Sequence, residues 1–170
     1  SMSAVEILWL PCPARMPYTG SVPTARWQPL SLKGFAIGTK PDGSQWTGGV
    51  ENPWNASDVY TASSSYVSGV NMSDMALVTS GNYQRYYVVD GVRYHHLIDP
   101  ATLWPAAYFN GVSVLAPDSG VADCLTTGLF CMPLEEGQKL VESLDGVEAM
   151  WCTPDKQATT SSGWDSHLKK

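Results

Sequence analysis

The 170-residue sequence has no basic run: ten Lys and Arg face sixteen Asp and Glu, for a net charge of −6. A chain this acidic repels a phosphate backbone, so no nucleic-acid partner is expected. No stretch approaches about 18 uninterrupted apolar residues, so nothing is expected to cross a bilayer as a helix. The first residues lack the charged-then-apolar layout of a secretory signal. Cys12, Cys124, Cys131 and Cys152 form no C-x-x-C pair, so zinc is not expected. Cys124 and Cys131 fall in an apolar helical stretch, where buried free thiols are the expectation. Asn55-Ala56-Ser57 and Asn71-Met72-Ser73 match the glycosylation triplet, a pattern short enough to arise by chance.

What is present is the material of a packed core. Apolar residues make up 44% of the chain, aromatics 11%, and there are seven Trp. The length suits one domain. An acidic protein that handles a phosphorylated ligand needs a metal ion or backbone N–H groups to offset the repulsion.

Composition breaks near residue 33. Residues 1–33 are crowded with proline and show no period of 2 or 3.6, so they read as an irregular arm of unknown role. Residues 34–170 are regular. "GFAIGTKPDGSQWTGGVENP" predicts two short strands around a Pro41-Asp42-Gly43 turn. The Ser/Thr/Tyr-rich run 57–68 predicts a strand, and Thr79-Ser80-Gly81 a turn before the next one. That turn would offer hydroxyls and N–H groups to a phosphate or ring edge, or be a turn and nothing more. Asp90-Gly91, flanked by apolar alternation, predicts a hairpin.

"GVSVLA" predicts another strand. Val121, Leu125 and Leu129 then repeat at i, i+4 and i+8, with Asp118 or Ser119 as N-cap. A second helix over about 134–144, the strand "VEAMWC" and a polar tail follow. The order gives an α+β fold, an antiparallel sheet with a few packed helices.

Two constellations bear on chemistry. The hairpin places Tyr94, His96 and Ile98 on one face of its second arm, and His95 and Leu97 on the other. Adjacent histidines therefore cannot share one job, and Asp99-Pro100 ends the strand beside them. The plain alternative is a strand with polar side chains. Asp123 and Thr127 stand four apart on the first helix, so a carboxylate and a hydroxyl share a face. Two hard oxygen donors suit Mg²⁺. Equally, Asp123 would pair with a cation and Thr127 bond back to the carbonyl of Asp123 or Cys124.

In order, "GTKPDGSQW", "TSGNYQRYY", "RYHHLIDP", "ADCLTTGLF" and "EEGQKLVESLDGVEAMW" resemble the carboxy-terminal half of the ApbE family, the FAD:protein FMN transferases. The resemblance runs from about residue 34 to Trp164. It implies a T-fold-like sheet, apparently a truncated version. It also implies Mg²⁺-dependent transfer of FMN from FAD to a Thr or Ser of an acceptor protein of a redox complex, releasing AMP. His96 then matches the catalytic histidine, which also faces the flavin nucleotide. Asp123 and Thr127 match the metal ligands, and Thr79, Ser80, Gly81 and Lys40 fall where the family lines its flavin pocket. The usual location is extracytoplasmic, in the periplasm or on the outer face of the cell membrane.

Two other functions compete: hydrolysis of the FAD pyrophosphate, and a shortened, catalytically impaired flavin-binding or assembly fragment. The sequence departs from the family pattern at three places. Leu103 stands for the glycine of D-P-x-T-G, which predicts a different turn beside His96. Gly128 replaces the small residue pair after Thr127. The amino-terminal half of the family is absent, so self-association or a missing half is expected to complete the site.

Overall fold

The structure is a computed structural model that describes residues 33–54, 66–83 and 85–169. The irregular arm, apart from its last residue, and most of the run 57–68 lie outside these residues. Five strands form the main sheet, in the order β1 (Lys33–Ala36), β4 (Met75–Gly81), β7 (Gly111–Ala116), β8 (Glu148–Cys152) and β9 (Ala158–Thr160). Every pairing in it is antiparallel. A second sheet pairs β2 (Trp46–Glu51) with β3 (Tyr66–Met72), and a third is the hairpin β5 (Tyr86–Val89) and β6 (Val92–His95).

Alternation along the strands sorts the core into two halves. Ala76 and Val78, Val112 and Val114, and Ala149 and Trp151 point to one face. There they meet α1 (Ser119–Phe130) and α2 (Leu134–Glu142). Leu77, Leu115, Met150 and Cys152 point to the other, against Val50 and Val70 of the second sheet and Trp164 of a short terminal turn. The domain is thus three layers, with β7 buried along its whole length in the middle one. Burial pushes the Cys152 thiol up to about 11.

The local signals are satisfied with some changes. Asp118 is the N-cap of α1, its carboxylate accepting from the N–H groups of Gly120 and Val121 at 2.8 and 2.9 Å. Asp90 and Gly91 both take positive φ, +48° and +78°, which is the two-residue turn that a right-handed hairpin twist needs. The Pro41-Asp42-Gly43 turn forms as well, but its flanking strands separate, β1 joining the main sheet and β2 the second.

Three expectations need correction. Thr79, Ser80 and Gly81 are not a turn; they are the last three residues of β4. The buried stripe of α1 runs through Ala122, Thr126, Leu129 and Phe130, and Val121 is exposed. Cys124 is exposed and Cys131 half-buried, because the helix turns Ala122, Thr126, Leu129 and Phe130, rather than its thiols, inward. No helix among the described residues is long and apolar enough to cross a membrane.

Candidate active site

Period-two alternation continues past the end of β6. His95, Leu97 and Asp99 are buried, while His96 and Ile98 are exposed. His95 points inward, with its ring edge against Phe130 at 5.7 Å between centroids. Burial, reinforced by the neighbouring His96, holds its imidazole below the usual range, although the bond to Ala106 opposes this. His96 faces solvent, and its Nδ1 lies 3.3 Å from the Arg85 carbonyl. A carbonyl only accepts, so in the neutral ring Nδ1 carries the proton and the bare lone pair is on Nε2.

The chain after His96 is a compact loop. The Asp99 N–H donates to the Trp104 carbonyl at 2.9 Å, and the Leu103 N–H to the Asp99 carbonyl at 2.8 Å. The Asp99 carboxylate accepts from the Ala101 N–H at 2.8 Å. Leu103 enters the left-handed region despite its Cβ, at φ +61°. That conformation costs an L-residue with a Cβ roughly 1–2 kcal/mol. The side chain is 78% exposed, so it recovers little by packing. Leu103→Gly is therefore expected to stabilise the protein by about 0.5–1 kcal/mol, the relieved strain outweighing the extra freedom of the unfolded glycine. A urea midpoint that falls rather than rises would contradict this account.

Asp123 and Thr127 occupy one flank of α1, on either side of the inward-facing Thr126 in sequence. Asp123 is half-buried and Thr127 exposed. The hydroxyls of Thr126 and Thr127 both donate to the Asp123 carbonyl, at 2.8 and 3.3 Å. Thr126 also accepts from the Ser80 hydroxyl at 2.9 Å, which ties this turn of the helix to the end of β4. Sequence reasoning missed Thr126. Its signal was its spacing, four residues after Ala122 and three before Leu129, which places it on the inward stripe. It also missed the Arg85 carbonyl, a backbone group that no side-chain pattern marks.

The triplet ending β4 divides. Ser80 faces the helices, whereas Thr79 faces the second sheet, its hydroxyl 2.7 Å from that of Ser113. Gly81 lies under the Tyr83 ring, where a Cβ would collide. Lys40 follows β1 and sits at the Met75 end of β4, beside the Gly38–Asp74 contact. The six steps from Met75 to Gly81 span about 20 Å, so the fold does not gather Lys40 with Ser80.

It does tie Ser80 to the turn of α1 that carries Asp123 and Thr127, and His95 to the end of the same helix. Phe130, which touches His95, stands one helical turn beyond Thr127. Ser80 and Thr126 mark the end of the sheet where β4 stops and α1 passes over it. Among the described residues, no group of three or more His, Cys, Asp or Glu could hold a metal ion.

Comparison with known proteins identifies the family. The ApbE family model matches residues 33–151. A FAD:protein FMN transferase of Treponema pallidum (strain Nichols) is 36% identical over 132 residues, 76% of this chain and 36% of its own length. The crystal structure of the ApbE protein from Thermotoga maritima superposes with a TM-score of 0.69 at 29% identity, over 82% of this chain and 43% of that one. The flavin transferase ApbE from Vibrio cholerae gives 0.61 at 30% identity, over 80% and 42%. The chain therefore spans less than half the length of each of these relatives. The antiparallel sheet and the two helices match part of these structures, and the chain belongs to the ApbE family.

Proposed function

We propose that this chain supplies the base-bearing and metal-binding part of a FAD:protein FMN transferase. One observation carries the reading: His96 presents a bare Nε2 to solvent, backed by the Arg85 carbonyl, while its neighbour His95 packs on Phe130 of the helix that bears Asp123 and Thr127. In the proposed reaction the hydroxyl of an acceptor Thr or Ser attacks the phosphorus on the FMN side of the FAD pyrophosphate. His96 Nε2 takes the hydroxyl proton, the bond to the bridging oxygen breaks, and AMP leaves with that oxygen. A hydroxyl is a poor nucleophile at neutral pH, so the base is needed. The Arg85 carbonyl keeps the imidazole in the tautomer that can accept.

Asp123 and Thr127 fit a Mg²⁺ ion in donor chemistry. Both offer hard oxygen, and the 3.3 Å bond from Thr127 to the Asp123 carbonyl leaves the lone pairs of its hydroxyl available. They would fill two positions of about six, the remainder being open to water and phosphate oxygens. When bound there, the ion would neutralise the pyrophosphate charge that an acidic protein otherwise repels. Action on an acceptor of a redox complex outside the cytoplasmic membrane belongs to the same proposal and rests on the resemblance.

The test is to incubate the chain with FAD, Mg²⁺ and an acceptor domain carrying a Thr or Ser target. The expected result is flavin fluorescence on the acceptor that survives denaturing electrophoresis, with AMP released in equal amount. A folded sample that neither flavinylates the acceptor nor binds FAD overturns it. A second reading is a flavin-binding part that does not itself transfer FMN. FAD binding without transfer would select that reading, and AMP release without an acceptor would select pyrophosphate hydrolysis.

A further inference from the structure

His95 has bonds on both sides of His96. Its Nε2 lies 3.0 Å from the Ala106 carbonyl, and its Nδ1 accepts the Leu97 N–H at 3.3 Å. A carbonyl partner requires a proton on Nε2, and an N–H partner requires a lone pair on Nδ1. Both nitrogens are therefore committed, and the ring is the neutral Nε2–H tautomer. The Ala106 N–H in turn donates to the Leu97 carbonyl at 2.9 Å, closing a circuit of His95, Ala106 and Leu97. His96 is the residue between His95 and Leu97, so the circuit encloses its backbone. Phe130 seals the ring from behind, and the site is only 8% exposed.

An apolar side chain would fill the same volume without touching Leu97 or Ala106 directionally. The bonds, not the packing, are what an imidazole adds. We propose that His95 is a positioning residue for His96: its ring bridges Leu97 and Ala106 and so sets the direction in which the His96 side chain leaves the backbone. This rests on the reading of His96 as the base. In energetic terms, the chain's own loop fixes the imidazole before substrate arrives, and a displacement of the base by about an ångström can cost about 100-fold in rate.

The experiment uses the full chain and two readouts. The variants are His95→Phe, which keeps a ring against Phe130 and removes both bonds, and His95→Gln, whose amide can still donate to the Ala106 carbonyl. Nitrogen-detected spectra of the histidine side chains report the His96 tautomer directly, with or without turnover. His95→Phe is expected to shift the His96 ring signals and mix its tautomers, and to lower kcat for flavin transfer by about 10- to 100-fold with KM for FAD little changed. His95→Gln is expected to recover part of both effects.

Unchanged His96 signals in His95→Phe overturn the proposal. If that variant does not fold, unchanged signals in His95→Gln together with wild-type kcat do so. Should the wild-type chain show no transfer, the proposed function fails, and the spectra still decide whether His95 holds His96. A merely structural His95 would lower the melting temperature and leave the His96 tautomer and kcat where they were.

Discussion

His96→Ala is expected to slow flavin transfer by about 10²- to 10⁴-fold, the usual contribution of a positioned general base. The loss should lie in chemistry and not in folding. The side chain is exposed, makes one hydrogen bond through Nδ1, and leaves no cavity when removed. Surface truncations of that kind stay within about 0.5 kcal/mol. A single-turnover rate with FAD and acceptor, beside a thermal melt, separates the two. A rate within about threefold of wild type, in a sample that melts normally, would remove His96 as the base, since no positioned base contributes so little.

The largest stability effect is expected at Trp151. It is fully buried in β8, one strand from the open edge of the main sheet, with Leu129 of α1 on its helix-facing side. Gly137 lets α2 come down on it: a Cβ there would meet the indole at 3.5 Å and Leu129 at 3.3 Å. Trp151→Ala should therefore cost about 3–5 kcal/mol, because neither a five-stranded sheet nor a helix already in contact can collapse into the space. At this size that corresponds to a fall in Tm of about 6–20 °C. Trp151→Phe should cost less than half as much. The indole Nε1 makes no hydrogen bond among the described residues, and removing an unsatisfied buried donor offsets part of the lost bulk. Equal losses for the two variants in urea unfolding would show that Nε1 has a partner after all.

The two effects locate different things. Trp151 belongs to the layer that holds the sheet and helices together, and His96 to the edge where the chain leaves that layer. Phe130 of α1 packs against both His95 and Phe109, and so joins the inward histidine to the helix-side core.

Local pattern was sufficient wherever one element answers to its own period. Alternation by two separated His95 from His96 without any partner strand in view, since neighbouring side chains leave a strand in opposite directions. Asp90-Gly91 and Asp118 were legible for the same reason, as a turn or a cap is settled within four residues. Legibility failed where the answer belongs to a neighbour. Thr79-Ser80-Gly81 looks like a turn because serine and glycine are turn formers and glycine is depleted in strands. Only Ser113 on β7 and Thr126 on α1 satisfy the hydroxyls and make a strand possible there. Likewise nothing local divides β1 from β2 into separate sheets; that depends on β4 and β3, which are far along the chain.

Leu103 marks the limit from the other direction. Its side chain argues against a left-handed turn, and the intrinsic preference is lost to the bonds that Asp99 makes with Ala101, Leu103 and Trp104. Sequence was enough for the identity of the family, the hairpin and the outward histidine, because these are properties of short segments in a set order. Which hydroxyls meet, where Lys40 lies and how His96 is held were decided by packing. A hydrogen bond between residues 46 positions apart exists only once the sheet and the helix have closed on each other.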